Sequence, residues 1–217
     1  MLIAGVDEAG RGPLIGPMVI CGFALDQTKL NYLRDLKVRD SKLLSRAQRE
    51  RIFRELTTIG AHHIIAIPAK EIDAAVLGPE NLNWLEARKT VEILEKLQPQ
   101  QAIVDCPSTN IPAYTGFILK HLSIPLDVKC EHKADAHYEI VAAASILAKV
   151  TRDRLIDEIK ELHDVDFGSG YMSDERTARF LQENPEFPEI RRSWAPYQKL
   201  QKDKVQKGLG EFGENQE

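Results

Sequence analysis

The stretch that decides the fold is LIAGVDEAGRGP, residues 2–13. Its apolar first half predicts a β-strand that ends at Asp7 and Glu8. The Ala9-Gly10-Arg11-Gly12-Pro13 segment that follows predicts a turn, because glycine and proline interrupt regular structure. The pattern therefore places two neighbouring carboxylates at the end of a buried strand.

Further strands and helices are predicted from the hydrophobic periodicity of the rest of the chain. Strands are expected at residues 18–25, 62–67, 102–105 and 126–130, and helices at 45–56, 69–77, 80–97, 113–122 and 135–162. Short links between the first three strands favour antiparallel pairing, whereas the later alternation of strand and helix favours parallel strands. The predicted class is α/β, a mixed five-stranded sheet flanked by helices. Residues 166–217 are expected to form a C-terminal helical region and tail.

Size and composition are those of a globular protein. The 217 residues are 43% hydrophobic and 29% charged, which suits one large domain. No apolar run approaches the roughly 20 residues of a membrane helix, and no leader-like segment follows Met1. We therefore expect a cytoplasmic protein with no membrane partner. Cys21, Cys106 and Cys130 are too scattered for a disulfide framework and are expected to be buried.

Charge is distributed unevenly along the chain. Residues 29–54 hold nine Lys/Arg against three acids, a net +6, so a total of −4 leaves −10 for the remainder. This asymmetry suits an enzyme that grips phosphates on one surface and holds cations in a carboxylate pocket. A solvated basic helix face is the alternative.

Three aspartates are expected to converge on one sheet edge. Asp7 and Asp105 end strands that would lie side by side in parallel, and Asp135 begins the helix after the fifth strand. Such oxygen ligands favour Mg²⁺ or Mn²⁺, and two such ions about 4 Å apart can activate a water and stabilise the leaving oxygen of a phosphodiester. Each aspartate alone would equally suit a helix or turn cap.

Glu8 and the glycines next to it raise a geometric question. Strand neighbours point to opposite faces, so Glu8 joins Asp7 only if the turn at Ala9 and Gly10 rotates it inward. The Gly10-Arg11-Gly12 backbone allows close approach of a ligand, and its N–H and C=O groups can pair with a sugar hydroxyl. A role in the turn alone is the alternative.

Several blocks, in order, resemble type 2 ribonuclease H of the archaeal kind. They are the 7–13 segment, Asp40-Ser41-Lys42, Asp105 after an apolar strand, Lys133-Ala134-Asp135 and residues 142–153, and the likeness extends from residue 2 to roughly 200. The resemblance implies a ribonuclease H-like catalytic domain over residues 1–165. It also implies that Asp7, Glu8, Asp105 and Asp135 form the catalytic, metal-binding set.

The resemblance further implies the substrate. A monomeric endonuclease with two divalent ions would cut the RNA strand of RNA/DNA hybrids, and single ribonucleotides in duplex DNA, leaving 5′-phosphate and 3′-hydroxyl ends. Gly10, Arg11 and Gly12 would sense the 2′-hydroxyl, and Tyr171 would contact the nucleotide on the 3′ side. Where the family commonly has Tyr-Pro-Ser-Asp-Pro, this chain has Met172 and Glu175 in place of the prolines, which predicts a looser loop.

Phosphate contacts are expected from two basic groups. Ser145, Lys149 and Arg152, at i, i+4 and i+7, would lie along one helix face, and Lys42 and Arg46 would add contacts from the basic segment. Residues 206–213 resemble the QxxLxxFF peptide that docks on replication sliding clamps, with Gly213 replacing the second aromatic. A tail without a partner is the alternative.

Two other classes of protein share some of these features. Sugar-kinase and actin-like ATPases also place an aspartate and a glycine turn at the first strand end, but they need two copies of the domain. A non-catalytic nucleic-acid binder would need the basic segment alone, and it would have no use for acids that repel phosphates.

Overall fold

A computed structural model describes residues 1–40 and 44–203 of the chain. Within these residues one sheet is formed by β1 (Leu2–Ala9), β2 (Met18–Asp26), β3 (Ala61–Ile67), β4 (Gln101–Asp105) and β5 (Asp127–Glu131). The α-helices are α1 (Leu30–Asp35), α2 (Arg46–Ile59), α3 (Ala69–Leu77), α4 (Leu82–Leu97), α5 (Ile111–His121), α6 (Ala134–His137), α7 (Glu139–His163) and α8 (Glu175–Glu183). Residues 195–203 are also helical.

The sheet has the order β3-β2-β1-β4-β5. The β1–β2 and β2–β3 pairs are antiparallel, whereas β1–β4 and β4–β5 are parallel. The predicted mixed five-stranded sheet flanked by helices is thus confirmed, and so is the parallel pairing of the first and fourth strands. The first strand, predicted to end at Asp7 and Glu8, continues to Ala9 by pairing with β2.

Helices cover both faces of the sheet and bury alternate residues of β1. Ile3 belongs to the core that contains α2 and α7, whereas Ala4 and Val6 belong to the core that contains α4 and α5. At Gly5 an added Cβ would lie 2.4 Å from the backbone of Ile140, so glycine lets α7 cross the sheet at close range. Helix α7 therefore rests directly on the central strand.

The long helix predicted from Asp135 to Leu162 is broken in the structure. Tyr138 is extended, with φ −125° and ψ 121°, and separates the one-turn helix α6 from α7. The Tyr138 hydroxyl donates to Glu131 at the end of β5, at 2.9 Å. This bond links the break to the sheet, and the extended residue makes α6 and α7 two separate helices.

A third apolar core joins the C-terminal region to the rest of the molecule. Phe167, Phe180 and Ile190 pack there against Ile15 and Ile156. The C-terminal helical region is present as expected, while its boundary at residue 165 stays a prediction. No helix within residues 1–40 and 44–203 is long and apolar enough to cross a membrane.

Candidate active site

The carboxylates gather where β4 ends and β1 continues. The β1–β4 register ends at Val6 opposite Val104, so the next position on each strand is Asp7 and Asp105. One ligand oxygen from each of Asp7, Glu8 and Asp105 lies within 4.8 Å of the others. The structure thus brings together three of the four acids expected there.

Asp7 and Glu8 approach this point from opposite faces of the sheet. Asp7 lies beneath α7, where Ser145 hydrogen-bonds its carboxylate, whereas Glu8 lies on the side of α4, close enough to Glu86 for their charges to interact. Glu8 joins Asp7 without the rotation that the glycine turn was expected to supply, because strand pairing with β2 continues through Glu8 to Ala9. Past Val6 and Val104 the strands β1 and β4 no longer pair, so the Asp7 and Glu8 side chains can both reach the space between the two strands.

Burial and mutual repulsion make these acids hold protons strongly. Burial, and then the charge of Glu8, raise the pKa of Asp7 well above its usual range. Burial and the nearby carboxylates of Glu86 and Asp105 raise the pKa of Glu8 to about 8. The pKa of Asp105 is raised chiefly by burial and further by Asp135. Hard oxygen donors that repel one another in this way fit a divalent cation such as Mg²⁺ or Mn²⁺.

Asp135 stands next to this group but outside it. Its helix α6 begins at Ala134, whose backbone N–H donates to Asp105 Oδ1 at 2.8 Å. The charge of half-buried Asp135 raises the pKa of Asp105, so the two carboxylates are neighbours. The role of Asp135 as a metal ligand stays a prediction.

Ser145 and Lys149 form a polar chain that ends on Asp7. Lys149 Nζ donates to Ser145 Oγ at 2.6 Å, and the Ser145 hydroxyl bonds the Asp7 carboxylate and lowers its pKa. Ser145 has no exposed surface, and its contact with a phosphate stays a prediction. Its hydroxyl supports the Asp7 carboxylate, while Lys149 borders the cavity beside the glycine turn.

The glycine turn lines a cavity of about 340 Å³ that Glu8 also lines. The other lining residues are Ala9, Gly10, Arg11, Gly12, Lys149, Arg152, Asp153 and Tyr171. Gly10 has φ +80°, and an added Cβ would lie 2.2 Å from Arg152 Nε. Both the backbone conformation and the space therefore demand glycine at this position.

Two residues of α4 fix the Arg11 side chain. Arg11 donates through Nε to Glu86 Oε1 at 2.8 Å and through Nη2 to Asn83 Oδ1 at 2.7 Å. Glu86 is only 2% exposed, and burial raises its pKa to about 7 although Arg11 opposes the shift. The Arg11 guanidinium is thus held by α4 and remains partly exposed to the cavity.

Arg152 is more buried than a residue on a solvated helix face would be. It is 6% exposed and donates to the backbone carbonyls of Pro17 and Ile15, at 3.3 and 3.4 Å. Its guanidinium lies 5.4 Å from the centre of the Tyr171 ring. Arg152 thus supports the segment after the glycine turn, and its contact with a phosphate stays a prediction.

Tyr171 borders the same cavity on a loop with several anchors. An added Cβ at Gly12 would lie 3.8 Å from the Tyr171 ring, so the aromatic side chain stands beside the glycine turn. Gly170 O accepts from Leu14 N at 2.8 Å. Asp174 accepts from Ser169 N at 2.8 Å. These bonds hold the loop in a chain that has Met172 and Glu175 where the family commonly has proline.

The basic segment packs on α7 through ion pairs. Arg46 pairs with Asp157, and Arg154 of α7 pairs with Glu50 at 2.5 Å. Arg46 also lines a cavity that shares Arg152, Asp153 and Tyr171 with the glycine-turn cavity. Lys42 lies outside the described residues. Contacts of Arg46 and Lys42 with phosphate stay predictions.

Two residues that support the glycine turn, Glu86 and Arg191, were not predicted from the sequence. Glu86 lies 4, 7 and 8 residues before Thr90, Ile93 and Leu94, a spacing that places it on the buried face of α4. A charged residue at such a core position could have been recognised from the sequence. Arg191 is fully buried and donates to the carbonyls of Gly10, Arg11 and Gly16. No periodicity marks it, because it lies in an irregular segment.

This sheet, with acids clustered where two parallel strands end and a glycine turn whose cavity one of those acids also lines, defines a ribonuclease H-like nuclease. The family model described as ribonuclease HII matches residues 4–196. The ribonuclease HII of Pyrococcus horikoshii is 44% identical, with 93% of each chain covered. The chain therefore belongs to the ribonuclease HII family, as the resemblance predicted.

Solved structures agree with this assignment. The ribonuclease H2 of Pyrococcus horikoshii superposes with a TM-score of 0.85 at 42% identity, covering 94% of this chain and 98% of that one. A ribonuclease HII of Archaeoglobus fulgidus, solved in complex with PCNA, has a TM-score of 0.83 at 36% identity, covering 89% and 95%. Family membership makes the protein a ribonuclease H endonuclease, a hydrolase that depends on divalent metal ions.

Proposed function

We propose that the protein hydrolyses the RNA strand of RNA/DNA hybrids, including single ribonucleotides within duplex DNA, and leaves 5′-phosphate and 3′-hydroxyl ends. The observation that carries the proposal is the group of Asp7, Glu8 and Asp105 oxygens within 4.8 Å, next to a glycine turn whose cavity Glu8 also lines. A non-catalytic nucleic-acid binder would have no use for buried acids that repel phosphates.

Asp7, Glu8, Asp105 and Asp135 would hold two divalent ions, Mg²⁺ or Mn²⁺. Bound there, the ions supply the positive charge that activates a water and stabilises the leaving oxygen of the phosphodiester. Ser145 would keep Asp7 aimed at the site through its hydrogen bond. Lys149, which borders the cavity, would carry positive charge to the scissile phosphate.

The remaining cavity residues would select and hold the substrate. The backbone of Gly10, Arg11 and Gly12 would meet the ribose 2′-hydroxyl, which can both donate and accept a hydrogen bond. Tyr171, 39% exposed beside Gly12, would stack on the nucleotide on the 3′ side. Arg46, Lys42 and Arg152 would contact phosphates further along the strands.

A cleavage assay with three duplexes tests the proposal. With Mg²⁺ or Mn²⁺, the protein is expected to cut an RNA/DNA hybrid and a DNA duplex with one ribonucleotide, and to leave an all-DNA duplex intact. Product ends would be identified by their response to a phosphatase and a ligase. Cleavage of the all-DNA duplex at a similar rate, or no cleavage with either metal, would contradict the proposal.

A second proposal concerns the tail. We infer that residues 206–213 bind a replication sliding clamp, supported by their QxxLxxFF-like pattern and by the related Archaeoglobus fulgidus protein solved in complex with PCNA. These residues lie outside the described part of the chain. Deletion of residues 206–217 is expected to abolish clamp binding in calorimetry while the protein itself stays monomeric in light scattering. Unchanged clamp affinity would refute the inference.

A further inference from the structure

One buried arginine from the C-terminal region supports the whole glycine turn. All three nitrogens of the Arg191 guanidinium donate to backbone carbonyls: Nη2 to Gly10 at 2.6 Å, Nη1 to Arg11 at 2.9 Å and Nε to Gly16 at 3.0 Å. Trp194 Nε1 adds a bond to Gly12 O at 3.2 Å. Two side chains thus bind the carbonyls of all three residues of the turn.

These bonds also set the direction of the amides on the other side of each peptide. The described chain has no cis peptide bond, and in a planar trans peptide the N–H points opposite to the C=O. Fixing the carbonyls of Gly10 and Arg11 towards Arg191 therefore turns the N–H groups of Arg11 and Gly12 away from it. Both residues line the cavity that holds Glu8 and Tyr171.

Packing alone does not explain an arginine at this position. Arg191 is fully buried, and no carboxylate among the described residues lies within ion-pair distance of it. Its partners are the loop carbonyls and the Trp194 ring, whose centre lies 5.0 Å from Cζ. Since burying a charge is costly and an apolar side chain could fill the space, the positive charge is retained for these carbonyls.

We propose that Arg191 is a positioning residue for ribose recognition, which it serves by aiming the amides of Arg11 and Gly12 at the oxygen of the substrate 2′-hydroxyl. Trp194 assists by holding the Gly12 carbonyl and by stacking on the guanidinium. The inference rests on the proposed function, because it concerns how the same turn distinguishes RNA from DNA. It gives the C-terminal region a part in substrate choice.

The test compares binding of two duplexes that differ by one 2′-hydroxyl, with Ca²⁺ replacing Mg²⁺ under conditions in which the wild-type protein leaves the strand intact. Arg191→Lys keeps the charge but loses the three-way geometry. Trp194→Phe keeps an aromatic ring but loses the donor. Arg192→Lys is the matched control, because the exposed Arg192 side chain pairs with Glu186 at 2.9 Å. Folding is checked by circular dichroism and by the Mn²⁺-induced rise in melting temperature.

We expect Arg191→Lys to reduce the wild-type preference for the ribonucleotide duplex about tenfold, the equivalent of one to two hydrogen bonds. Trp194→Phe should reduce it less, and Arg192→Lys should leave it unchanged. A preference retained in folded Arg191→Lys, or equal weakening of both duplexes, would overturn the inference. If Arg191→Lys does not fold, Trp194→Phe alone decides. A wild-type protein without any preference would overturn the proposed 2′-hydroxyl sensing as well.

Discussion

Asp105 Oδ1 accepts a hydrogen bond from the backbone N–H of Ala134 at 2.8 Å, so a side chain at the end of β4 holds the first residue of α6. The next residue of that helix is Asp135. One carboxylate oxygen thus orients the helix that carries a second acid. The position of Asp135 therefore depends on Asp105 as well as on the fold.

This relationship separates the charge of Asp105 from its role as a cap. In Asp105→Asn the amide oxygen can still accept from Ala134, while the negative charge is lost. We expect cleavage of a ribonucleotide-containing duplex to fall at least about 100-fold, as for removal of a central electrostatic group in other active sites. The melting temperature of the metal-free protein at pH 8 should not fall, because burial and Asp135 already raise the pKa of Asp105.

A control for this variant is Asp127→Asn, because Asp127 begins β5 and so lies at the edge of the sheet opposite to the acid cluster. Asp127 is exposed and accepts from Gln101 Nε2 at 3.0 Å. Its loss should leave cleavage unchanged. Full activity of Asp105→Asn, measured at saturating Mg²⁺ and Mn²⁺, would remove Asp105 from the catalytic set.

The acid cluster should make the metal-free protein less stable as pH rises from 6 to 9. The folded protein raises the pKa of Glu8 from 4.5 to about 8 and that of Asp7 in the same direction. Such groups favour the folded state when protonated, and this contribution is lost as pH rises through the folded pKa. The melting temperature in EDTA should fall by about 2–4 °C for each kcal/mol lost.

Divalent metal should reverse this loss, since cations displace protons from the cluster. The rise in melting temperature with Mn²⁺ should be larger at pH 9 than at pH 6. Glu8→Gln should flatten the metal-free profile, although Glu86, with a pKa raised to about 7, retains part of the slope. A wild-type stability that does not change between pH 6 and 9 in EDTA would contradict the repulsion described here.

Ser145 provides a test of indirect support for a metal ligand. Ser145→Ala removes the hydroxyl that bonds Asp7 and separates Asp7 from Lys149. We expect the affinity for Mn²⁺ to fall about 10- to 100-fold, as is typical when a hydrogen-bond partner of a metal ligand is removed. Excess metal should restore cleavage, and the apparent KM for the duplex should hardly change.

The matched control is Ser123→Ala. Ser123 precedes β5, and its hydroxyl also donates a hydrogen bond to a carboxylate, that of Glu95. Calorimetry of Mn²⁺ binding to both variants distinguishes the two roles considered for Ser145. If Ser145→Ala weakened duplex binding and left metal affinity intact, Ser145 would be a phosphate contact after all.

The sequence predicted the part of the site that depends on strand ends. Apolar segments before Asp7 and Asp105 were enough to place the two acids together, because parallel neighbours end at one sheet edge. The meeting of Asp7 and Glu8 was harder to foresee. It depends on β1 pairing with β2 as far as Ala9, whereas its pairing with β4 stops at Val6. The sequence of neither strand alone indicates this difference.

The support of the glycine turn was beyond sequence reasoning for a different reason. Arg191 lies 181 residues from Gly10 in the chain, and their contact exists only because the C-terminal region packs on Ile15 and Ile156. Arg191 and Arg192 are adjacent and identical in type, yet one is buried and the other exposed. Tertiary packing, with no local preference, decides which arginine reaches the turn.

Salt dependence of binding can decide whether the basic segment grips phosphates or only coats a helix. Arg46 and Arg51 both lie on α2, but Arg46 lines a cavity next to the glycine turn, whereas Arg51 pairs with Glu55 one turn along the same helix at 3.7 Å. Each phosphate contact that is lost should lower the slope of log affinity against log salt by about 0.9. We expect this change for Arg46→Ala and none for Arg51→Ala, measured by fluorescence anisotropy with a labelled hybrid in Ca²⁺. Equal slopes for both variants and the wild type would favour the solvated helix face, because the pair of Arg46 with Asp157 would then persist in the complex.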